Sequence, residues 1–397
     1  MRNQSMPIFT GSKSQDAAHR IRVFCLNLYI VALPLNALSS QTGLSIIKYI
    51  AIAIAAISLF TMGTTWRIHL SKVKWYWIIY VLYSAVTLLW ANARASSLTA
   101  VIGMAETAVL ALVLCNDTFT ENDIRKIETA FMLSGYFMLL LVLSWGVADS
   151  TDRVVIRSSF AIADGNEMNA FFIIPAILCV QRIMKKQQRL LFKLLYAATL
   201  VAFLYCVLLT GSRSGFLGFI AAVLLTFLYI SGLQMKKLAS VVLAIAVLIA
   251  LYLYVIKPML PADMLQRFSY ESMVSDKGSN RLDIWQQQIS IIRSDPLRLV
   301  FGYGRGGIAS YRRASHNQLL QELICGGIFG LCIYIGFIIN LLKNAKKNYK
   351  PSFYAVIAIQ VMLLFLSSTS SFKPVWIIYM MAISYVNKKT NTIEEIK

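Results

Sequence analysis

The chain alternates between apolar blocks of membrane-spanning length and short polar segments. Twelve blocks can be marked, at about 22–39, 44–63, 75–91, 97–115, 127–146, 168–183, 190–210, 214–232, 238–256, 316–342, 352–370 and 373–387. A hydrocarbon core about 30 Å thick needs roughly 20 helical residues to cross it, so each block predicts a transmembrane helix. The block at 168–183 is the weakest, being short and carrying Pro175, where a break is expected. The last two blocks are close enough to form a tight hairpin. The predicted fold is therefore an all-α integral membrane protein of about 12 transmembrane helices. It divides into an N-terminal tail (1–21), helices 1–9 (22–256), a polar segment (257–315), helices 10–12 (316–387) and a C-terminal tail (388–397).

The polar segment is too long to be a loop without structure of its own. Arg281–Arg293 has apolar residues at 282, 284, 285, 289, 291 and 292, which predicts an amphipathic helix. Ser279 or Asn280 is placed to cap it, and Asp295-Pro296 to stop it. A glycine-rich turn, Phe301-Gly-Tyr-Gly-Arg-Gly-Gly307, follows. The segment reads as a small amphipathic domain lying on one membrane face.

Composition strengthens this picture: 58% of residues are hydrophobic, 14% charged, and mean hydropathy is +0.64. A soluble domain is about a quarter charged. The net charge of +20 falls in short clusters between apolar blocks, which argues against nucleic acid. Those clusters also set orientation, because cytoplasmic loops carry the excess of Lys and Arg. With the N-terminus inside, 23 of these residues lie in inside segments and 6 in short outside segments, leaving 9 in the long polar segment. An even number of spans follows, with both termini cytoplasmic and residues 257–315 outside. The polar first 20 residues lack an apolar run before a cleavage site, so no cleaved signal peptide is expected. The six cysteines lie in or beside apolar blocks with no CxxC, which speaks against disulfides or a cysteine-rich metal site.

Four places could carry chemistry. In Thr210-Gly-Ser-Arg-Ser-Gly215, Arg213 sits where two helix ends meet; the ordinary reading is a turn with a snorkelling arginine. Arg281 opens the loop helix, where a cation opposes the helix dipole unless an anion binds there. An exposed arginine is the plain alternative. His316 stands where the long segment re-enters the membrane. It is the one histidine assigned to the outer face, since His19 and His69 fall inside. A benign polar tip is its bland reading. No carboxylate cluster accompanies it, so a zinc or two-metal site is not expected. Asp164-Gly-Asn166-Glu-Met-Asn169 is a polar turn at the entrance to the sixth block, a helix cap on the plain reading. Glu106 lies inside an apolar block, and neither it nor Glu322 has a legible role. Two arginines suit a phosphate or pyrophosphate, which they grip with planar forks. A neutral histidine suits proton abstraction from a sugar hydroxyl.

These residues resemble the bacterial O-antigen ligase/polymerase superfamily, over essentially the whole chain. O-antigen ligases share a His, then Asn, Ser or Gln, then nine residues, then Gly-x-x-Gly, Thr or Tyr. Here that reads His316-Asn317, nine residues, and Gly327-Ile-Phe-Gly330. Ser-Arg213-Ser-Gly is similar to the family arginine before a glycine-containing helix. Arg281 with Trp285 is similar to its loop arginine, and Pro296 with Gly302 and Gly304 to its Pro…Gly-x-Gly turn. The Asn166/Asn169 turn resembles a family asparagine element, with a less regular pattern. The resemblance implies a metal-independent, cofactor-free, inverting glycosyltransferase of the bacterial inner membrane with its site facing the periplasm. The donor would be an undecaprenyl-pyrophosphate-linked polysaccharide and the acceptor a sugar of lipid A-core, in lipopolysaccharide biosynthesis. Arg213 and Arg281 would hold the pyrophosphate and His316 would be the base. Asn317, Asn166 and Asn169 would help bind substrate.

The nearest rival is an O-antigen or capsule polymerase, with the same donor but a lipid-linked repeat unit as acceptor. The His316 motif, the modest outside loop at 147–167 and the lack of a second large outside loop favour the ligase. A twelve-span transporter would show repeated halves and broken helices at mid-membrane depth; here the halves differ and the candidates cluster at one surface.

Overall fold

Apolar runs fold as helices because lipid leaves every backbone N–H and C=O to find its partner within the protein. In the computed structural model, the described residues are 13–38, 46–62, 70–148, 154–157, 162–163, 165–231, 254, 257–260, 265–266, 269, 271–272, 280–307, 314–366 and 372–387. The chain forms α1 (Lys13–Ala32), α2 (Ile46–Met62), α3 (Lys72–Val86) and α4 (Arg94–Leu114). A short strand β1 (Thr118–Phe119) leads into α5 (Glu121–Trp145). The loop after α5 is a small antiparallel sheet, β2 (Gly146–Ala148), β3 (Val154–Arg157) and β4 (Ile162–Ala163), with Val147 opposite Val155 and Ile156 opposite Ala163. Then come α6 (Gly165–Ala170), α7 (Ile173–Met184), α8 (Leu190–Leu209) and α9 (Arg213–Ser231). The polar segment contributes α10 (Arg281–Arg293) and α11 (Pro296–Phe301), followed by α12 (Gln318–Asn348), α13 (Lys350–Leu363), α14 (Lys373–Ile383) and β5 (Tyr385–Val386).

The result is helical, as an all-α membrane protein requires, with seven described stretches long and apolar enough to cross a membrane. The expected count of twelve includes a ninth span at 238–256 that lies almost wholly outside the described residues. Three expected boundaries move. The break expected at Pro175 falls at Phe171–Phe172, and Pro175 sits in the first turn of α7, where its missing N–H leaves no bond unmade. The last two helices end at Leu363 and Ile383, short of the expected 370 and 387, and neither is long enough to cross a membrane unaided.

One apolar core runs through α1–α9 and α12–α14, with Phe172, Phe203, Phe337 and Tyr379 fully enclosed. Segments assigned to one side by charge meet at one end of this bundle. His19 lies 3.1 Å from Asp117 and 3.0 Å from Asp123, Arg22 holds Asp117, and β1 pairs in parallel with β5. Thr120 and Asp123 close a capping box on α5, so this end is fixed by satisfied backbone groups. At the other end, Asn36 donates to Glu167 at 2.6 Å.

Candidate active site

Arg213 is the first residue of α9 and is half-buried. The turn that delivers it is built around two asparagines. Asn166 Oδ1 accepts from the hydroxyls of Ser212 and of Ser214, the latter at 2.9 Å. Asn169 Nδ2 donates to Thr210 Oγ1 at 2.8 Å, and Ser212 Oγ caps the N–H of Gly215 at 3.0 Å. Asn169 is fully enclosed, and a Cβ on Gly215 would stand only 2.6 Å from its Cβ. Gly215, the second glycine of the turn, therefore leaves the room that Asn169 occupies. The structure joins two places that the sequence left separate: the Asn166/Asn169 helix is the mount for the Arg213 turn. On its outer side Arg213 Nη2 donates to Ser272 Oγ at 3.0 Å, which ties it to the long polar segment.

Arg281 begins α10, as the periodicity predicts. Asn280 precedes it in the left-handed region (φ 60°, ψ 17°) and makes no side-chain cap bond; Ser279 lies outside the described residues. One turn on, Trp285 Nε1 donates to the carbonyl of Ser315 at 2.7 Å, which joins α10 to the residue before His316. Ile292, Tyr303, Leu320 and Ile324 form a small second core, with Trp285 and Leu299 packed on it. Pro296 does stop α10, but it also starts α11, with Asp295 Oδ1 accepting from the N–H of Arg298.

His316 adopts φ 48°, unusual for a residue with a side chain. The kink turns the chain into α12, whose N-cap is Asn317, accepting from the N–H of Leu320 at 3.0 Å. The His-Asn pair thus reads as a hinge followed by a cap. Asn317, expected at the substrate, has its side-chain oxygen committed to the helix.

The expected single span at 316–342 is a longer helix interrupted at Gly327 (φ 64°, ψ −165°), a conformation essentially confined to glycine. A break in an apolar helix leaves carbonyls that need donors. They are found nearby. The N–H of Tyr303 bonds Ile324 O at 2.8 Å, the N–H of Gly304 bonds Cys325 O at 2.9 Å, and Tyr83 Oη bonds Gly326 O at 2.6 Å. The Gly-x-Gly turn approaches so closely that a Cβ on Gly302 would lie 2.6 Å from Gly326 N. Arg298 anchors the far side of this turn through Trp90 O at 3.0 Å, and Gly306 N–H donates to Ser97 Oγ at 2.8 Å. So Gly302-Tyr-Gly304 and Gly327 are two halves of one joint, which explains why both glycine patterns occur together.

Arg305 and Glu322 were not singled out as a pair by the sequence. Arg305 Nη1 lies 2.8 Å from the Glu322 carboxylate, with side chains only 7% and 1% exposed. Tyr80 Oη and Gln318 Nε2 donate to Glu322 at 2.6 and 2.8 Å, while Arg305 Nε donates to Ser84 Oγ and its guanidinium covers the Tyr80 ring at 4.6 Å. Burial works against the Arg305 charge, yet Glu322 beside it raises its pKa above the ordinary guanidinium value. The available signal was a carboxylate about one turn into an apolar helix beside a motif. Glu106 also acquires partners, Lys48 at 3.8 Å and Lys373 at 3.9 Å.

A family model described as O-antigen ligase matches residues 198–335. The matched stretch runs from within α8 into α12 and contains Arg213, Arg281, Arg305, His316, Asn317, Glu322 and the Gly327 joint; Asn166 and Asn169 lie before it. The match covers 138 of the 397 residues and supports the resemblance to the O-antigen ligase/polymerase superfamily over that stretch. A search of curated proteins finds no match.

Proposed function

We propose that this protein is a member of the O-antigen ligase/polymerase superfamily and, within it, an O-antigen ligase of the bacterial inner membrane. It would move a polysaccharide from undecaprenyl pyrophosphate to a sugar hydroxyl of lipid A-core at the periplasmic face. The observation that carries the reading is that Arg213, Arg281 and His316 each stand at the N-terminal end of a helix within the matched stretch. Helix N-termini present free N–H groups and a positive dipole end, and arginines add fixed charge, so each place favours an anion.

The chemistry follows from these groups. His316 takes the proton of the acceptor hydroxyl as its oxygen attacks the anomeric carbon. The bond from that carbon to the pyrophosphate oxygen breaks, and its electron pair leaves with undecaprenyl pyrophosphate. Arg213 and Arg281 hold the charge that develops there. Attack opposite the leaving group inverts the anomeric centre, and the proton on His316 passes to water. Asn166 and Asn169 act through the Arg213 turn they support, and Asn317 through the helix it caps.

The test is reconstitution of purified protein in liposomes with lipid-linked glycan and lipid A-core, read by a gel shift of the acceptor. Transfer onto lipid A-core that disappears in His316→Ala supports the ligase. Extension of lipid-linked repeats with no modified lipid A-core makes the protein a polymerase. Full transfer by His316→Ala removes the base assignment.

A further inference from the structure

We propose that the buried Arg305–Glu322 pair is a positioning latch that locks the first half of α12, and with it His316, onto the glycine-rich turn. The proposal rests on the ligase reading for His316 and extends it to residues that reading does not use.

The break at Gly327 makes residues 318–326 a short helix of their own, attached to the rest of α12 through one glycine. Such a segment has freedom to swing unless side chains hold it. Its two backbone bonds to the turn, at Ile324 and Cys325, sit at the break and act as the pivot. Glu322 reaches the turn at a separate point, through Arg305, and reaches α3 through Tyr80. Gln318, the first residue of the helix and two positions from His316, donates to the same carboxylate oxygen. Glu322 therefore links α3, the turn and the start of the half-helix at one buried point.

A buried ion pair is a weak source of net stability, because desolvation offsets the attraction, but it specifies one arrangement. Arg305 has few alternatives: its Nε is held by Ser84 and its face lies on Tyr80. A loosened latch leaves the pyrophosphate-binding arginines in place while His316 loses its direction. The consequence is a loss in turnover without a loss in donor binding, since only the base moves.

The experiment uses full-length protein in liposomes and compares wild type, Glu322→Gln, Arg305→Lys and His316→Ala. Glu322→Gln keeps the size and one acceptor oxygen, but removes the charge facing Arg305 and replaces the other acceptor with an amide donor. We expect its kcat to fall by about tenfold or more with the donor KM within about twofold of wild type. Amide exchange should rise in peptides covering 302–307 and 316–326 and nowhere else. Arg305→Lys, which keeps the charge and loses the fork, should fall between the two, and it substitutes if Glu322→Gln does not fold. Wild-type kcat and unchanged exchange in Glu322→Gln would overturn the latch while leaving His316 as base. An equal rise in KM would overturn it too, because that marks a binding role. Activity in His316→Ala sinks the base assignment instead, and the exchange result then decides the latch alone.

Discussion

Gly327→Ala is the most telling single change, because the structure gives its penalty in parts. Alanine is a poor occupant of φ 64°, ψ −165°, and holding a non-glycine residue there costs about 1–3 kcal/mol. The new Cβ would also press on the backbone of Val300 and stand 2.5 Å from Phe301 N, and backbone cannot rotate aside as a side chain can. The turn must retreat, which strains or breaks the bonds from Tyr303 and Gly304 to the Ile324 and Cys325 carbonyls. Each is worth about 1 kcal/mol net in ordinary surroundings. The sum is about 3–5 kcal/mol, a large fraction of the roughly 5–15 kcal/mol that holds a typical domain together. Gly330→Ala in the same motif is the control. Its Cβ would meet the Tyr83 ring edge at 3.1 Å and Glu322 O at an ordinary 3.6 Å, and alanine is favoured over glycine in a helix. Heating purified protein in detergent and following the folded fraction should show a clear loss of thermal stability for Gly327→Ala and little change for Gly330→Ala. Equal stability in the two variants would refute the idea that the glycine pattern encodes a joint.

Asn166→Ala should lower transfer at least tenfold, as two buried hydroxyls lose their acceptor, whereas Asn166→Asp, which still accepts from both, should retain much more; comparing initial rates at matched protein levels decides it. Arg213→Lys should insert normally yet impair transfer, because an ammonium cannot reproduce the planar fork, and wild-type turnover there would reduce Arg213 to a snorkelling side chain. Trp285→Phe removes the bond to Ser315 and should destabilise the loop by about 1 kcal/mol with a larger effect on kcat than on KM, measured by donor titration. At the opposite end, burial raises the Asp117 carboxyl, but His19 and Arg22 together pull it below its usual value. A depressed carboxyl gives stability that is full above its unfolded pKa and is lost as pH falls through the folded value. Thermal stability of wild type should therefore fall more steeply on acidification than that of Asp117→Asn, and parallel curves would rule the linkage out.

What the sequence makes legible follows from range. The helix at Arg281 is readable to its first residue, because apolar period and a following Asp-Pro are local signals. The asparagine turn is visible as a polar turn, but its purpose is not. Asn166 meets Ser212 and Ser214 across two intervening helices, and nothing local distinguishes that from a cap. The Gly327 break is invisible for a related reason. A glycine in an apolar run is tolerated in a continuous helix, and only the arrival of Tyr303 and Gly304 makes an interruption affordable. Glu322 shows the same dependence: its partner Arg305 sits in a glycine-rich turn that looks like surface until the turn docks between α3, α4 and α12.

The joint also changes how the long polar segment should be understood. It resembles an insertion between two spans, which ordinarily tolerates shortening. Yet α12 cannot keep its break without the donors from residues 303 and 304, since lipid offers no replacement. Conversely, the turn is anchored by the carbonyls the break exposes and by the Arg305–Glu322 pair, together with Arg298 and Gly306 on the α3–α4 side. Loop and membrane helix are thus one folding unit, and the candidate base stands at the point where they join. On the proposed reading the site receives two lipid-borne substrates, which calls for a base fixed relative to the membrane. Mounting His316 on a half-helix clamped from both sides meets that need, and a base on a free loop would not.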